Sequence, residues 1–277
     1  MFSFWMASCY PTEELNEPLY TEDFQQKTQL DDYIDQNFVQ EYGMSIRYRY
    51  SENYLSPGQR TAATNIDAVG PMLDFIEEFW INPYLEINNG EVFFRKHVPA
   101  EVILIGGRIF NPNGTELLGT ADAGARVTLV RVNDIDPTDS EWRDLQLGTI
   151  YHEFAHIIHQ RYKLPDAFET ITAANYTGPG SWFILDDNDA LERGFVSPYA
   201  TSSTNEDYAE TVAFYLFDPL FVDNYLTLDE ECVSETCTAQ NEGKAFISNK
   251  LAAISDHYQR VTGVSLEELR SAVQERL

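Results

Sequence analysis

The chain has 277 residues, 43% of them hydrophobic and 13% aromatic, which is enough apolar material for a sizeable core and argues against wholesale disorder. With 45 acidic against 18 basic side chains, its formal net charge is −27. A surface of that sign repels phosphate backbones and excludes nucleic-acid binding through a basic face. No run reaches the ~18 apolar residues of a membrane-spanning helix.

The first nine residues, MFSFWMASC, place a short apolar run (Phe2, Phe4, Trp5, Met6) before Ala7-Ser8 and Cys9. This resembles the end of a bacterial lipoprotein signal, where a small-residue box directly precedes a cysteine that is lipidated. It departs from such a signal in having no positive n-region and too short an apolar run. Residues 1–29 therefore read as a signal remnant and acidic tether (Glu13, Glu14, Glu17), with Cys9 as the lipid attachment point. The expectation is an exported monomer held to the outer membrane, on its periplasmic or surface side, only by that lipid. A disordered N-terminus is the alternative.

Residues 30–277 read as one domain. Leu30 to Tyr42 has helical spacing, and Met44 to Tyr50 alternates like a strand. Arg60 to Trp80 is helical, and Pro83 marks its end. Strands are expected over Glu91 to Lys96, Val102 to Ile105 and Arg126 to Val132, with a turn at Asn113-Gly114. From Asp136 helices dominate. Asp136 is the candidate N-cap and Pro137 the first residue of a helix that runs past Gly148, a candidate break, to Pro165. Strands first and helices second is an α+β pattern, with an α+β half at 30–135 and a helical half at 136–277. Late in the chain Cys232 and Cys237 form a local pair in a polar stretch. A disulfide fits an oxidising compartment, and two free thiols are the alternative.

The chemistry concentrates in His152-Glu153-Phe154-Ala155-His156. At ~100° per residue, Ile150, Phe154, Ile158, Tyr151, Ala155 and Ile157 share one arc, while His152 and His156 lie together on the opposite side. Imidazoles one turn apart can hold one zinc ion, with Glu153 flanking the pair as a general base. A catalytic zinc needs a third protein ligand. His159 lies on the same face but about 10.5 Å along the axis from His152, too far to share the ion, so it is assigned a supporting role. Downstream, Glu206 and Glu210 are spaced i, i+4 opposite the apolar face of Val212 and Tyr215. Like charges so placed repel unless a cation or a histidine N–H intervenes. One carboxylate on zinc and the other on a ligating imidazole meets that need; Ser203 and Glu206 also fit a capping box at a helix start.

The segments YHEFAHIIHQ and GFVSPYATSSTNEDYAETVA resemble zinc-binding metallopeptidase lipoproteins encoded beside Sus-type nutrient importers in Bacteroidetes. The pieces MSIRYRY, FFRKHVPAEVILIGG and NPNGTELLGTADAGARVTLVRVN are similar to the same family, so the resemblance covers most of the chain from about Leu30. Such proteins are gluzincins. The resemblance implies a strand-containing half packed on a mainly helical zincin-type half with the active site in the cleft. It also implies one zinc per chain on His152, His156 and Glu206, with Glu210 behind a ligand. The spacing is similar to the catalytic domain of anthrax lethal factor, which implies that Tyr199, seven residues before Glu206, donates to the oxyanion. The expected function is hydrolysis of peptide or protein substrates beside an outer-membrane importer complex. The alternative is a non-catalytic zinc-containing lipoprotein that binds peptide or glycoprotein. A further expectation is that the strand near Arg126 to Val132 binds extended substrate by strand addition.

Overall fold

Thr28 and Asp31 cap each other reciprocally, each backbone N–H donating to the other's side chain, and α1 (Gln29–Ile34) begins there. The helix passes through a π-helical turn, Asp35–Val39, into α2 (Gln40–Tyr42), and Gly43 at φ +74° ends it. The computed structural model describes residues 27–277 apart from 113, 115, 118–119 and 123–125, so Cys9 and most of the tether lie outside the described residues.

β1 (Ser45–Arg47) is shorter than the expected strand. α3 (Ile66–Ile76) starts at an Asn65 cap, later than Arg60, which lies in extended chain bridged to Phe110. It runs through a π-helical turn, Glu77–Ile81, into α4 (Asn82–Leu85). The strand expected over Glu91 to Lys96 is instead a helix, α5 (Gly90–His97). Its buried residues Gly90, Phe93, Phe94 and His97 follow helical spacing, Val92 is 73% exposed, and Arg95 and Lys96 sit in the last turn, where the helix dipole favours cations.

Six short strands follow one another with β1: β2 (Glu101–Leu104), β3 (Ile109–Phe110), β4 (Glu116–Leu117), β5 (Thr120–Asp122) and β6 (Arg126–Leu129). β3 and β4 pair as a hairpin, with Gly114 at φ +84° in its turn. The main sheet has the order β1-β2-β6-β5; β1, β2 and β6 are parallel and β5 is antiparallel to β6. β6 is thus paired on both sides and has no free edge for a substrate strand, which corrects that expectation. β5 is the outermost strand at that end of the sheet. The chain leaves β6 before Val132, because Arg131 at φ 59° turns it into a 3-10 segment, Val132–Asp134.

α6 (Ser140–Tyr162) is the central helix, capped by Asp139; Asp136 instead closes a turn by accepting from the Thr138 N–H at 3.0 Å. Gly148 does not break it. A Cβ there would stand 3.5 Å from the Phe217 ring, in ordinary contact. Phe154 packs against Trp80, Tyr84 and Phe94 with ring centroids 5.6, 5.5 and 5.8 Å away, in the middle of the core. α7 (Asp166–Ile171), α8 (Asp187–Glu192), α9 (Thr204–Phe217), α10 (Glu235–Thr262) and α11 (Leu266–Gln274) complete the chain. The structure is mixed but mostly helical, with helices in the first half as well as the second, and the sheet is small. A disulfide joins Cys232 to Cys237, Cα atoms 5.6 Å apart, at the entry to α10. Among the described residues no helix is long and apolar enough to cross a membrane.

Candidate metal centre

α6 is buried on nearly every side, so the face carrying His152 and His156 looks onto another helix, α9, and not onto open solvent. α9 begins where the Ser203 hydroxyl accepts from the Glu206 N–H at 3.3 Å. The reciprocal half of a capping box is missing because the Glu206 side chain turns towards the imidazoles. Ser203 therefore caps the backbone while the Glu206 carboxylate remains available to the site.

His152 Nε2 and His156 Nε2 lie 3.0 Å apart, and Glu206 Oε2 is 3.1 Å from each. A tetrahedral zinc with ligands at ~2.0–2.1 Å holds its donor atoms about 3.3–3.4 Å apart, so this triangle matches one face of such a set to within a few tenths of an ångström. Proton bookkeeping points the same way. His152 Nδ1 is 2.7 Å from Glu210 Oε1, and an ionised carboxylate only accepts, so Nδ1 carries the proton. Nε2 then faces another nitrogen and a carboxylate oxygen, and either a metal ion on its lone pair or a proton makes that contact favourable. The Glu153 carboxylate completes a His152, Glu153, His156 group whose ligand atoms all lie within 4.8 Å of one another. Glu206 lies 3.1 Å from both imidazoles.

The electrostatics follow from burial among carboxylates. Burial alone lowers the His152 pKa, but Glu206 and Glu210 outweigh it and push it up to about 10. Burial raises Glu206 less than His152 and His156 depress it, and the balance holds it well below the usual carboxylate range. Burial lifts Glu153, against the lowering effect of the two imidazoles. His159 Nε2 stands 2.8 Å from His156 Nδ1, and burial followed by His156 lowers its pKa to about 4. His159 therefore contacts the outer nitrogen of a candidate ligand.

Tyr199 sits on a 3-10 turn, Tyr199–Ser202, 38% exposed, its ring centroid 6.0 Å from that of His152. Burial and then the Glu206 carboxylate raise its pKa, so the phenol keeps its proton. The fold thus brings His152, Glu153, His156, His159, Tyr199, Glu206 and Glu210 together, while Cys232 and Cys237 lie apart in their disulfide. Three partners had no signal in the sequence. Ser197 donates from Oγ to Glu210 Oε2 at 2.5 Å, yet a Ser-Pro dipeptide reads only as a turn. Asp207, next to Glu206, is fully buried 2.8 Å from the fully buried Lys250. It also accepts from the Tyr176 hydroxyl at 2.7 Å. Lys250 lies 43 positions downstream of Asp207, and no local pattern joins them.

A crystal structure from Bacteroides caccae ATCC 43185, described as a putative zinc-binding metallo-peptidase, is similar to this chain with a TM-score of 0.71 and 27% identity, over 89% of this chain and 90% of that one. No protein of curated function matches. The family model described as "Putative zinc-binding metallo-peptidase" matches residues 23–267. With that span and the clustered His152, Glu153 and His156, the chain belongs to this zinc-binding metallo-peptidase family.

Proposed function

We propose that this protein is a zinc-dependent peptidase of the gluzincin type, holding one zinc on His152, His156 and Glu206. The observation that carries this reading is the 3.0–3.1 Å triangle of His152 Nε2, His156 Nε2 and Glu206 Oε2 with Glu153 beside it. When bound, zinc supplies a Lewis acid that polarises a carbonyl and makes water acidic near neutral pH. The chain's own groups do the rest. Glu210 holds the His152 ring by its Nδ1 proton and leaves Nε2 as a donor. His159 does the corresponding work for His156. Glu153 takes a proton from the attacking water at its carboxylate and delivers it to the departing amine nitrogen; its raised pKa suits both transfers. The Tyr199 hydroxyl, kept protonated, donates to the oxyanion that develops on the scissile carbonyl.

A structural zinc site has four protein ligands, and this constellation offers three and a base, which favours catalysis over a binding-only lipoprotein. The test is Glu153→Gln. The variant should keep one zinc per chain by mass spectrometry, while chelator-sensitive cleavage of an unfolded protein falls at least ~100-fold. Full activity in that variant would remove Glu153 from the chemistry and the peptidase mechanism with it. We also propose that the protein is exported and lipid-anchored through Cys9 next to a nutrient importer. The Ala7-Ser8-Cys9 sequence and a disulfide suited to an oxidising compartment support this.

A further inference from the structure

Between Gly178-Pro179-Gly180 and α8 the chain forms a 3-10 turn, Trp182–Ile184. It is held by its own hydrogen bonds: Ile184 N–H donates to Ser181 O at 3.3 Å and Leu185 N–H to Trp182 O at 3.1 Å. Just upstream, Thr177 N–H donates to Thr201 O at 2.9 Å, and Thr201 belongs to the turn that carries Tyr199. The two turns are thereby tied together. The Trp182 ring meets Tyr199 edge-on with centroids 5.1 Å apart, and Phe183 meets Trp182 edge-on at 6.1 Å. Ring contacts therefore run from Phe183 through Trp182 and Tyr199 to His152.

At the outer end of this series Phe183 is 65% exposed and Ile184 71% exposed. A single apolar side chain in water needs no explanation. These two are adjacent and fixed in a hydrogen-bonded turn, and three ring contacts join Phe183 to His152. The contacts of 6.0, 5.1 and 6.1 Å bring Trp182 within about 11 Å and Phe183 within about 17 Å of His152. An extended peptide advances ~3.4 Å per residue, so those reaches correspond to about three to five residues of substrate.

We propose that Trp182, Phe183 and Ile184 form a substrate subsite that takes a large apolar side chain within five residues of the scissile bond. The inference rests on the peptidase reading and names the substrate class: unfolded peptide bearing Leu- or Phe-like side chains in neutral or basic surroundings. Charge selects the surroundings. Asp187 is exposed in the first turn of α8 immediately after the apolar pair, and the net charge of −27 disfavours an acidic neighbour on the substrate.

The test uses the zinc-loaded protein and a fluorogenic peptide with Leu or Ala at each of the five positions on either side of the cleaved bond. At one or more positions kcat/KM should be at least ~10-fold higher for Leu than for Ala. In a Phe183→Ser, Ile184→Ser double variant, checked for an unchanged unfolding midpoint, that ratio should fall below about threefold. Trp182→Phe, which keeps an aromatic ring against Tyr199, should preserve it. A wild-type ratio near one at all ten positions, or an undiminished ratio in the double variant, overturns the subsite. Calorimetric binding of the same peptides separates this inference from the peptidase reading. If neither peptide is cut, a Leu preference in binding that the double variant loses still supports the subsite, and equal binding of Leu and Ala peptides to the wild type overturns it.

Discussion

Replacing Glu210 tests whether the carboxylate behind His152 tunes the metal site. Its Oε1 accepts the His152 Nδ1–H at 2.7 Å and its Oε2 accepts the Ser197 hydroxyl at 2.5 Å, with the side chain only 14% exposed. A hydrogen bond to a charged group in such surroundings contributes ~1.5–3 kcal/mol. At ~1.4 kcal/mol per factor of ten, losing it should weaken zinc binding about 10- to 100-fold, the range usual for a partner of a ligating histidine. The two substitutions should separate within that range. In Glu210→Gln the amide oxygen can still accept from Nδ1–H and the Ser197 hydroxyl can rotate to accept from the amide, so the loss is the charge alone, about tenfold. Glu210→Ala strips both hydrogen bonds and should lose about 100-fold. Competition against a fluorescent zinc chelator at neutral pH reads the affinities directly, independent of catalysis. If Glu210→Ala binds zinc within threefold of the wild type, the carboxylate does not orient a ligand and the role assigned to it is wrong.

Two further outcomes concern the frame around the site. Burial pushes the Asp207 pKa up and the Lys250 pKa down, yet at 2.8 Å each is the other's counter-charge; Lys250→Met should cost about 3–5 kcal/mol in urea unfolding by stranding Asp207, and adding Asp207→Asn should restore much of it. A single variant as stable as the wild type would show that the pair is not ionised. At the other end of the chain, Arg49 donates two hydrogen bonds to Asp31, at 2.7 and 2.6 Å, and holds its carboxyl well below the usual range. A depressed carboxylate pKa stabilises the fold above its unfolded value of ~3.9 and loses that contribution as pH falls through the lower folded value. Arg49→Met, at a pair whose arginine is 41% exposed, should therefore cost about 0.5–1 kcal/mol at pH 7, and the deficit should shrink from about pH 4 downward; a deficit as large in acid as at neutrality refutes the assignment.

The parts of the site that are periodic within one helix were legible in the sequence. His152 and His156 sit one turn apart, Glu206 and Glu210 likewise, and each pair needed only ~100° per residue to be placed on a common face. The α+β frame was visible less fully. The Phe93-Phe94 doublet fits a strand or a helix equally well until burial shows that Gly90, Phe93, Phe94 and His97 share one side of α5. The helix cap moved from Asp136 to Asp139 because both are acidic, turn-forming residues, and only the Asp136 hydrogen bond to Thr138 tells which of them sits outside the helix. Ser197, Trp182 and Lys250 were beyond reach for a different reason. Each contributes through a tertiary contact, and no residue type at a fixed local spacing marks it.

The order of acids on α9 shows how three carboxylates on one helix are shared out among separate partners. Glu206, Asp207 and Glu210 all lie in its first two turns, where the helix dipole favours negative charge but mutual repulsion would cost it back. Each carboxylate has its own counter-charge or donor: the two Nε2 atoms and the ion they imply for Glu206, the His152 Nδ1–H for Glu210, and the buried Lys250 for Asp207. Helical rotation puts Glu206 and Glu210 on one side and turns Asp207 away by ~100° to the interior. The inward acid ties α9 to α10, and through Lys250 Nζ to the Gly194 carbonyl at 2.7 Å, three residues before Ser197. The anchor that fixes Asp207 therefore also fixes the segment that carries Ser197 and, two residues on, Tyr199. Stability and geometry of the candidate metal centre are coupled through adjacent residues, so loosening the buried pair should displace Glu206 and Tyr199 together.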